Sequence, residues 1–477
     1  MHGASDERKQ AARGAFAPFV RSRDRRSDAR KRRQGAFTRG SKSRAKCYDP
    51  RHLVLTVVRR AARQPAPSRM HPLTDPQTLP NSSSSSSSRQ PIAQPARDAA
   101  DRAREPIRRI RIETVTSDDG FAALRTAWDA LANRAAAKSV FFRYDWFAAA
   151  WAWRRHDAEL RILVAREADA IIAILPLIAA RDRHGRRAWA LLTVPDTQRC
   201  DLIAAAEAVD AASYALAKAV ASQRDWDVLT LDYLAPDGLI PNHLVPHLRQ
   251  QGVYCVVEDR GRNLCIPLDG TWDTYWASRS RSLKKACNLA VNRLEKAGAV
   301  RIERLGPGVM SDPECDRAMQ AAIEISKCSW KQATGNSLDH AAPGDFIRSL
   351  SSAARREGWL SVWLAYLDDR PVAMEYQLVY QGTAHALRSD FDASLEHASP
   401  GSYLFRHLLE RMFDDGVSLY LMGPGDNAYK TRWATDGESL CRTWSYNRTL
   451  TGRTAYWIDQ RAKPLLRPLR DRLRRRG

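Results

Sequence analysis

The chain has 477 residues, of which 44% are hydrophobic, and a formal net charge of +22. That length and apolar content suffice for two domains of ordinary size and exclude a wholly disordered protein. The charge sits at the ends: residues 1–105 carry +15, residues 461–477 carry +7, and the 355 between them are neutral, which argues against a nucleic-acid-binding core.

Residues 1–105 hold Arg-rich runs and a seven-serine tract, Ser82–Ser88, without periodicity, and read as a disordered basic head. Order begins near Ile107. Ile110–Val115 alternates like a strand, and Phe121, Leu124, Trp128 and Leu131 recur at helical spacing. A Trp- and Ala-rich helix fits Asp145–Arg154. Leu160–Ala165 and Ala170–Leu177 read as two strands around a turn. The longest apolar run, Ala170–Ala180, has 11 residues, too few for a membrane-spanning helix, which needs roughly 20. A strand at Arg187–Thr193, a helix at Ala205–Gln223 and a strand at Val228–Tyr233 follow. A helix at Asn242–Gln251 and a strand at Val253–Val257 complete a first unit of mixed strands and helices, residues 106–265.

A second unit spans residues 266–460. Trp272–Gly298 reads as one basic helical stretch, Val300–Arg304 as a strand, and Pro313–Lys327 and Phe346–Glu357 as helices. Leu360–Leu367, Val372–Tyr380 and Thr383–Phe391 read as antiparallel strands joined by turns at Asp368–Asp369 and Gln381–Gly382. A helix opens at Ser399–Pro400–Gly401 and runs to Asp414. Leu419–Met422 is a strand broken by Gly423–Pro424–Gly425, and Thr443–Arg448 is the last one. The basic tail, residues 461–477, carries leucines that suit an amphipathic helix on an anionic membrane surface.

The helix after the third antiparallel strand is the most informative element. Ser399 suits an N-cap, Pro400 the first turn, and Gly401 removes a side chain where a ligand approaches. Free N–H groups and the positive dipole end favour phosphate there. Strand, phosphate-ready helix and strand in succession would suit a coenzyme A pyrophosphate. The eight cysteines stand singly, so neither a zinc site nor a disulfide framework is expected, and a cytoplasmic location is. No Walker loop, GxGxxG or GxSxG motif is present, and the histidines lack metal spacing.

In their order these segments resemble a family. Phe141–Phe142, Trp146, Ile174–Leu177, Ser280–Asn288 with Arg293–Leu294, Trp330–Lys331, Pro371–Ala373, Asp390–Asp392, Ser399–Gly401 and Tyr429–Lys430 are similar to the GNAT-like acyltransferases of the CelD type, from cellulose and exopolysaccharide biosynthesis. Those enzymes are related to the FemAB aminoacyltransferases. The resemblance covers about residues 106–450. It implies an α/β fold of tandem GNAT-like domains with mixed, mainly antiparallel sheets flanked by helices. It implies an acyltransferase, with acyl-CoA (acetyl-CoA) as co-substrate, no metal, and a carbohydrate or envelope precursor as acceptor. Two departures stand out: Arg370 where the family has Gly, and Met422–Gly423–Pro424–Gly425 where relatives carry an Asp before a Gly, with Asp426 as a substitute carboxylate. The alternatives are a FemAB-like enzyme that uses charged tRNA, the one nucleic-acid partner expected, and a non-catalytic binding subunit.

Acyl transfer needs a positioned nucleophile, a base and donors for the oxyanion. Glu375, Asp392 and Lys430 are the catalytic candidates. Glu375 lies mid-strand on the face of Ala373 and Gln377, where burial would raise its pKa. Ser399, Pro400, Gly401 and Ser402 are the candidates for the cofactor phosphates. Trp330, Lys331, Arg388, Asp390 and Tyr429 are the candidates for the acceptor side.

Overall fold

The computed structural model describes residues 109–135, 138–308 and 310–463. All of them lie in one compact unit, Ala66–Gly477. The basic head and the far end of the basic tail fall outside the described residues. The first half runs β1 (Ile110–Val115), α1 (Asp118–Ala123), α2 (Arg125–Arg134), α3 (Tyr144–Arg154), β2 (Glu159–Glu167), β3 (Ala170–Arg181), β4 (Arg187–Leu191), β5 (Ile203–Ala204), α4 (Val209–Ser222), β6 (Val228–Leu234), α5 (Val245–Gln250) and β7 (Tyr254–Pro267). The second half runs α6 (Trp272–Ser278), α7 (Arg281–Ala297), β8 (Val300–Leu305), α8 (Asp312–Lys327), α9 (Ala341–Arg356), β9 (Leu360–Leu367), β10 (Arg370–Tyr380), β11 (Thr383–Phe391), α10 (Pro400–Met412), β12 (Leu419–Pro424), α11 (Ala428–Trp433), β13 (Asp436–Tyr446) and α12 (Leu450–Trp457). This is the mixed α/β fold that the sequence implies.

Twelve strands form one sheet in the order β1-β2-β3-β4-β6-β13-β7-β12-β11-β10-β9-β8, with β5 attached to β3. Read from either edge, four antiparallel strands are followed by a parallel neighbour: β4 with β6, and β11 with β12. The halves then exchange strands. β7, from the first half, pairs with β12 of the second, and β13 pairs with β6 of the first. β7 and β13 pair with each other from Tyr254↔Tyr446 to Cys265↔Asp436. The expected boundary at 265/266 therefore falls inside β7. Across the middle, α3 packs on α9, with the Trp146 and Trp153 rings edge-on to Phe346 at 5.6 and 5.9 Å.

The apolar run from Ala170 becomes β3, buried over most of its length because it is central in its sheet and covered on both faces. Several expectations need correction. Trp272–Gly298 is two helices: Arg279 is extended, and the Ser280 hydroxyl caps α7 by accepting the Leu283 N–H at 3.2 Å. The strand expected at Val253–Val257 runs on to Pro267, because β13 pairs along its length through the charged stretch Glu258–Asn263. The last strand starts at Asp436, not Thr443, for the same reason. The helix expected from Ala205 starts at Val209, because Ile203–Ala204 pairs with β3. Among the described residues no helix is long and apolar enough to cross a membrane.

Candidate active site

The second half places its chemistry where β11 and β12 part. They pair in parallel only over Thr383–His385 and Leu419–Leu421. Beyond that row Leu387 is an extra residue in β11, a bulge against Tyr376 and Gln377 of β10. On the other side, β12 passes into Gly423 and Gly425, with φ of 82° and 106°. The two strands thus diverge, and past β11 the Tyr420 hydroxyl of β12 meets Glu375 of β10.

Glu375 of β10 is 2% exposed. Its Oε1 accepts the Tyr420 hydroxyl and, at 2.9 Å, the Gln377 Nε2; its Oε2 accepts the Ser389 hydroxyl at 2.8 Å. Burial raises its pKa above the usual carboxylate range, against the opposing pull of these donors and of Lys430. Glu375 and Gln377 share a face, as strand alternation requires. Lys430, in α11, points its Nζ back at the end of β12 and donates to the Gly423 and Pro424 carbonyls at 2.8 and 3.1 Å. Burial lowers its pKa to about 8; Asp426 and Glu375 oppose that shift and Lys331 adds to it. The Asn427 side chain caps this helix by accepting the Lys430 N–H at 2.9 Å, which fixes where the lysine starts.

Lys331 forms a buried ion pair with Asp390, Nζ to Oδ1 at 2.7 Å, off the hydrogen-bonding direction. Asp390 Oδ2 accepts the Ser326 hydroxyl at 3.0 Å. Trp330 is 50% exposed beside Lys331, so it is a surface wall and not core. Tyr429 is also exposed, its ring edge-on to Phe405 at 5.5 Å. Ser389 thus links Glu375 to the Lys331–Asp390 pair, and Lys430 acts on Glu375 and Lys331 through charge alone.

Other candidates are drawn away from this gap. Asp392 caps the turn after β11, accepting the Ser394 N–H and hydroxyl at 2.9 and 2.7 Å, and pairs with Arg370. Arg388 is 2% exposed: its terminal nitrogens bind Asp196 at 2.8 Å and the Asn336 carbonyl at 2.9 Å, while its Nε has no partner among the described residues. Ser399 is not the side-chain cap expected of it. It is left-handed, at φ 56°, and its hydroxyl donates to the Glu396 carbonyl at 3.3 Å. A Cβ on Gly401 would meet the Phe391 ring at 3.3 Å, so this glycine serves helix–strand packing. The Ser402 and Tyr403 N–H groups turn to the Ser399 carbonyl at 3.0 and 3.2 Å, and Pro400 has no N–H. Of the Ser399–Ser402 cradle, Gly401 N–H is the donor not used in that way.

The first half also reaches the gap, which the sequence reading missed. Gln198, from the segment between β4 and β5, donates to the Ala386 carbonyl at 2.7 Å. Asn263 of β7 donates to Gln198 Oε1 at 3.4 Å, and His385 Nδ1 lies 3.4 Å from the same oxygen. Burial pushes the His385 pKa down to about 3, so the ring is neutral at physiological pH. Phe141 packs edge-on against it at 5.1 Å. The one available signal was the run Asp196–Thr197–Gln198, polar residues between two apolar strands. Two surface depressions, of about 530 and 660 Å³, lie elsewhere, around Arg161 and Arg187 and beside Trp363 and Asp415. Among the described residues no cluster of His, Cys, Asp and Glu could hold a metal ion.

Residues 281–431 match a family model described as an acetyltransferase (GNAT) domain. Among curated proteins no relative matches the sequence. Among solved structures, FemX is similar at 12% identity over 73% of this chain and 99% of its own, with a TM-score of 0.45. A tandem GNAT protein from the clavulanic acid biosynthesis pathway is similar at 11% identity over 70% of this chain and 98% of its own, with a TM-score of 0.41. A GCN5-related N-acetyltransferase from Kribbella flavida is similar at 13% identity over 63% and 93%, with a TM-score of 0.28.

Proposed function

We propose, from the premise that residues 281–431 form a GNAT acyltransferase domain, that this chain moves an acyl group, acetyl foremost, from acyl-CoA to an amine or hydroxyl of a carbohydrate or exopolysaccharide precursor. The observation that carries this reading is the polar gap between β11 and β12, with a buried carboxyl of raised pKa within electrostatic reach of a lysine whose pKa falls to about 8. The resemblance to the CelD type supports the choice of acceptor.

The acceptor sits against the Trp330–Lys331 wall, and the acyl-CoA phosphates take the Gly401 N–H end of α10. Glu375 takes the acceptor's proton during attack on the thioester carbonyl; its raised pKa brings its basicity nearer that of a working base. Lys430, charged below pH 8, stabilises the charge that forms on the carbonyl oxygen.

Acetyl-CoA should raise the melting temperature of the protein, read by differential scanning fluorimetry. Lys430→Ala and Glu375→Gln should each lower thiol release from acetyl-CoA by about 10²-fold or more without unfolding the chain. Full activity in both variants would sink the assignment. A shift with charged tRNA and none with any acyl-CoA would favour a FemAB-like aminoacyltransferase, and no response to either would favour a binding subunit.

A further inference from the structure

Gln198 belongs to the first half, yet its amide lies in the strand gap of the second. It is 1% exposed. A Cβ built on Gly423 would stand 3.4 Å from Lys430 Nζ, 3.5 Å from the Ala386 carbonyl oxygen and 3.7 Å from Gln198 Nε2. Two nitrogen donors, one from each half, therefore lie close to the point where Gly423 lacks a side chain.

The donors can be counted. A glutamine amide carries two N–H groups and a charged lysine three. Gln198 spends one on Ala386, and Lys430 spends two on Gly423 and Pro424. Among the described residues, that leaves one N–H of each. The Ala386 carbonyl edges the same point, but it is already paired with the amide and so fixes which way the nitrogen faces. Asn263, 1% exposed, holds the other end of the same amide, its Nδ2 donating to Gln198 Oε1 at 3.4 Å. A donor N–H left unused in a buried place is costly unless a ligand completes it.

We infer that Gln198 Nε2 and Lys430 Nζ together form the oxyanion hole of the acyl transfer, so that Gln198 is a catalytic residue supplied by the first half. This rests on the acyl-CoA reading above. The acceptor nitrogen or oxygen attacks the thioester carbonyl carbon. The π pair moves onto the carbonyl oxygen, which takes the two spare N–H groups. The C=O bond then re-forms, the C–S bond breaks, and sulfur leaves with that pair. The acceptor's proton passes through the base to the thiolate, giving the acylated acceptor and free CoA. Donors already oriented need no rearrangement at the moment of reaction.

The test uses the full chain, with acetyl-CoA as probe and water or D-glucosamine as acceptor. Gln198→Met keeps the length of the side chain and has no N–H. Its affinity for acetyl-CoA should stay within about threefold of the wild type, while kcat for thiol release falls about 10²–10³-fold. Gln198→Glu, also without the amide donor, should show the same split and serves if the methionine variant does not fold. Wild-type kcat in a folded variant would overturn the inference and leave the acyl-CoA reading standing. Loss of acetyl-CoA binding with kcat intact would also overturn it, because it would make Gln198 a structural prop. A wild-type protein that neither binds nor turns over acetyl-CoA would overturn the functional reading itself, and the oxyanion hole with it.

Discussion

The two halves of the sheet share a topology and differ in what fills the gap that it makes. In the first half the last row of parallel pairing is Ala190 with Thr230, and Ala190 faces Ile178 across β3. In the second it is His385 with Leu421, and His385 faces Leu378 across β10. Counting back along β3 and β10 from these rows, Leu177 corresponds to Gln377 and Leu175 to Glu375. Beyond its own row the first half continues into Leu192 and Val194, both buried. The second half packs its gap with an amine, a carboxyl, an amide and an imidazole. The parting of parallel strands is therefore a property of the fold, and the chemistry belongs to the few side chains placed in it. The apolar half still contributes, because its segment between β4 and β5 delivers Gln198 to the other gap.

Exchanging one residue between the halves gives the largest expected effect. Leu175→Glu would bury a carboxyl where the first half has an apolar core and none of the donors that surround Glu375. It should cost about 3–5 kcal/mol, read from urea unfolding. A loss below about 1 kcal/mol would mean that β3 and β10 are less different than their packing indicates.

The pH dependence sharpens the same contrast. Burial lowers the Lys430 pKa to about 8, so the charged donor dominates below that pH and is lost above it. Turnover of acetyl-CoA should therefore fall as pH rises through about 8. The raised pKa of Glu375 sets the other limb, with activity rising as its carboxyl ionises. Activity that climbs through pH 8 would instead make Lys430 a base.

The smallest effect concerns the start of α10. Because the Ser399 hydroxyl does not cap the helix, Ser399→Ala should cost less than about 0.5 kcal/mol, whereas loss of a true serine cap costs about 1. Thermal denaturation distinguishes the two.

Local signals carried much of the fold. The apolar run from Ala170 was legible as a buried strand, and the Asp368–Asp369 and Gln381–Gly382 turns marked the β9–β10–β11 meander because two-residue turns need such residues. The placement of Glu375 and Gln377 on one face followed from alternation alone. The reading failed where pairing partners lie far away in the chain. The charged stretch Glu258–Asn263 looks like a loop, and only its pairing with β13 makes it strand. Ser399 looked like a cap because its type and position suit one; its left-handed backbone, set by the turn after β11, took the hydroxyl elsewhere.

By itself the sequence determined that +22 describes the ends of the chain and that a neutral α/β core of about 355 residues does the work. Charge and periodicity are local properties, and they are read without knowing which segments meet. Only the tertiary structure decided that the halves exchange β7 and β13, and that Gln198 and Lys430, more than 200 positions apart, both lie beside Gly423. Such convergence depends on strand order and on where two parallel strands stop pairing, and no short stretch of sequence contains either.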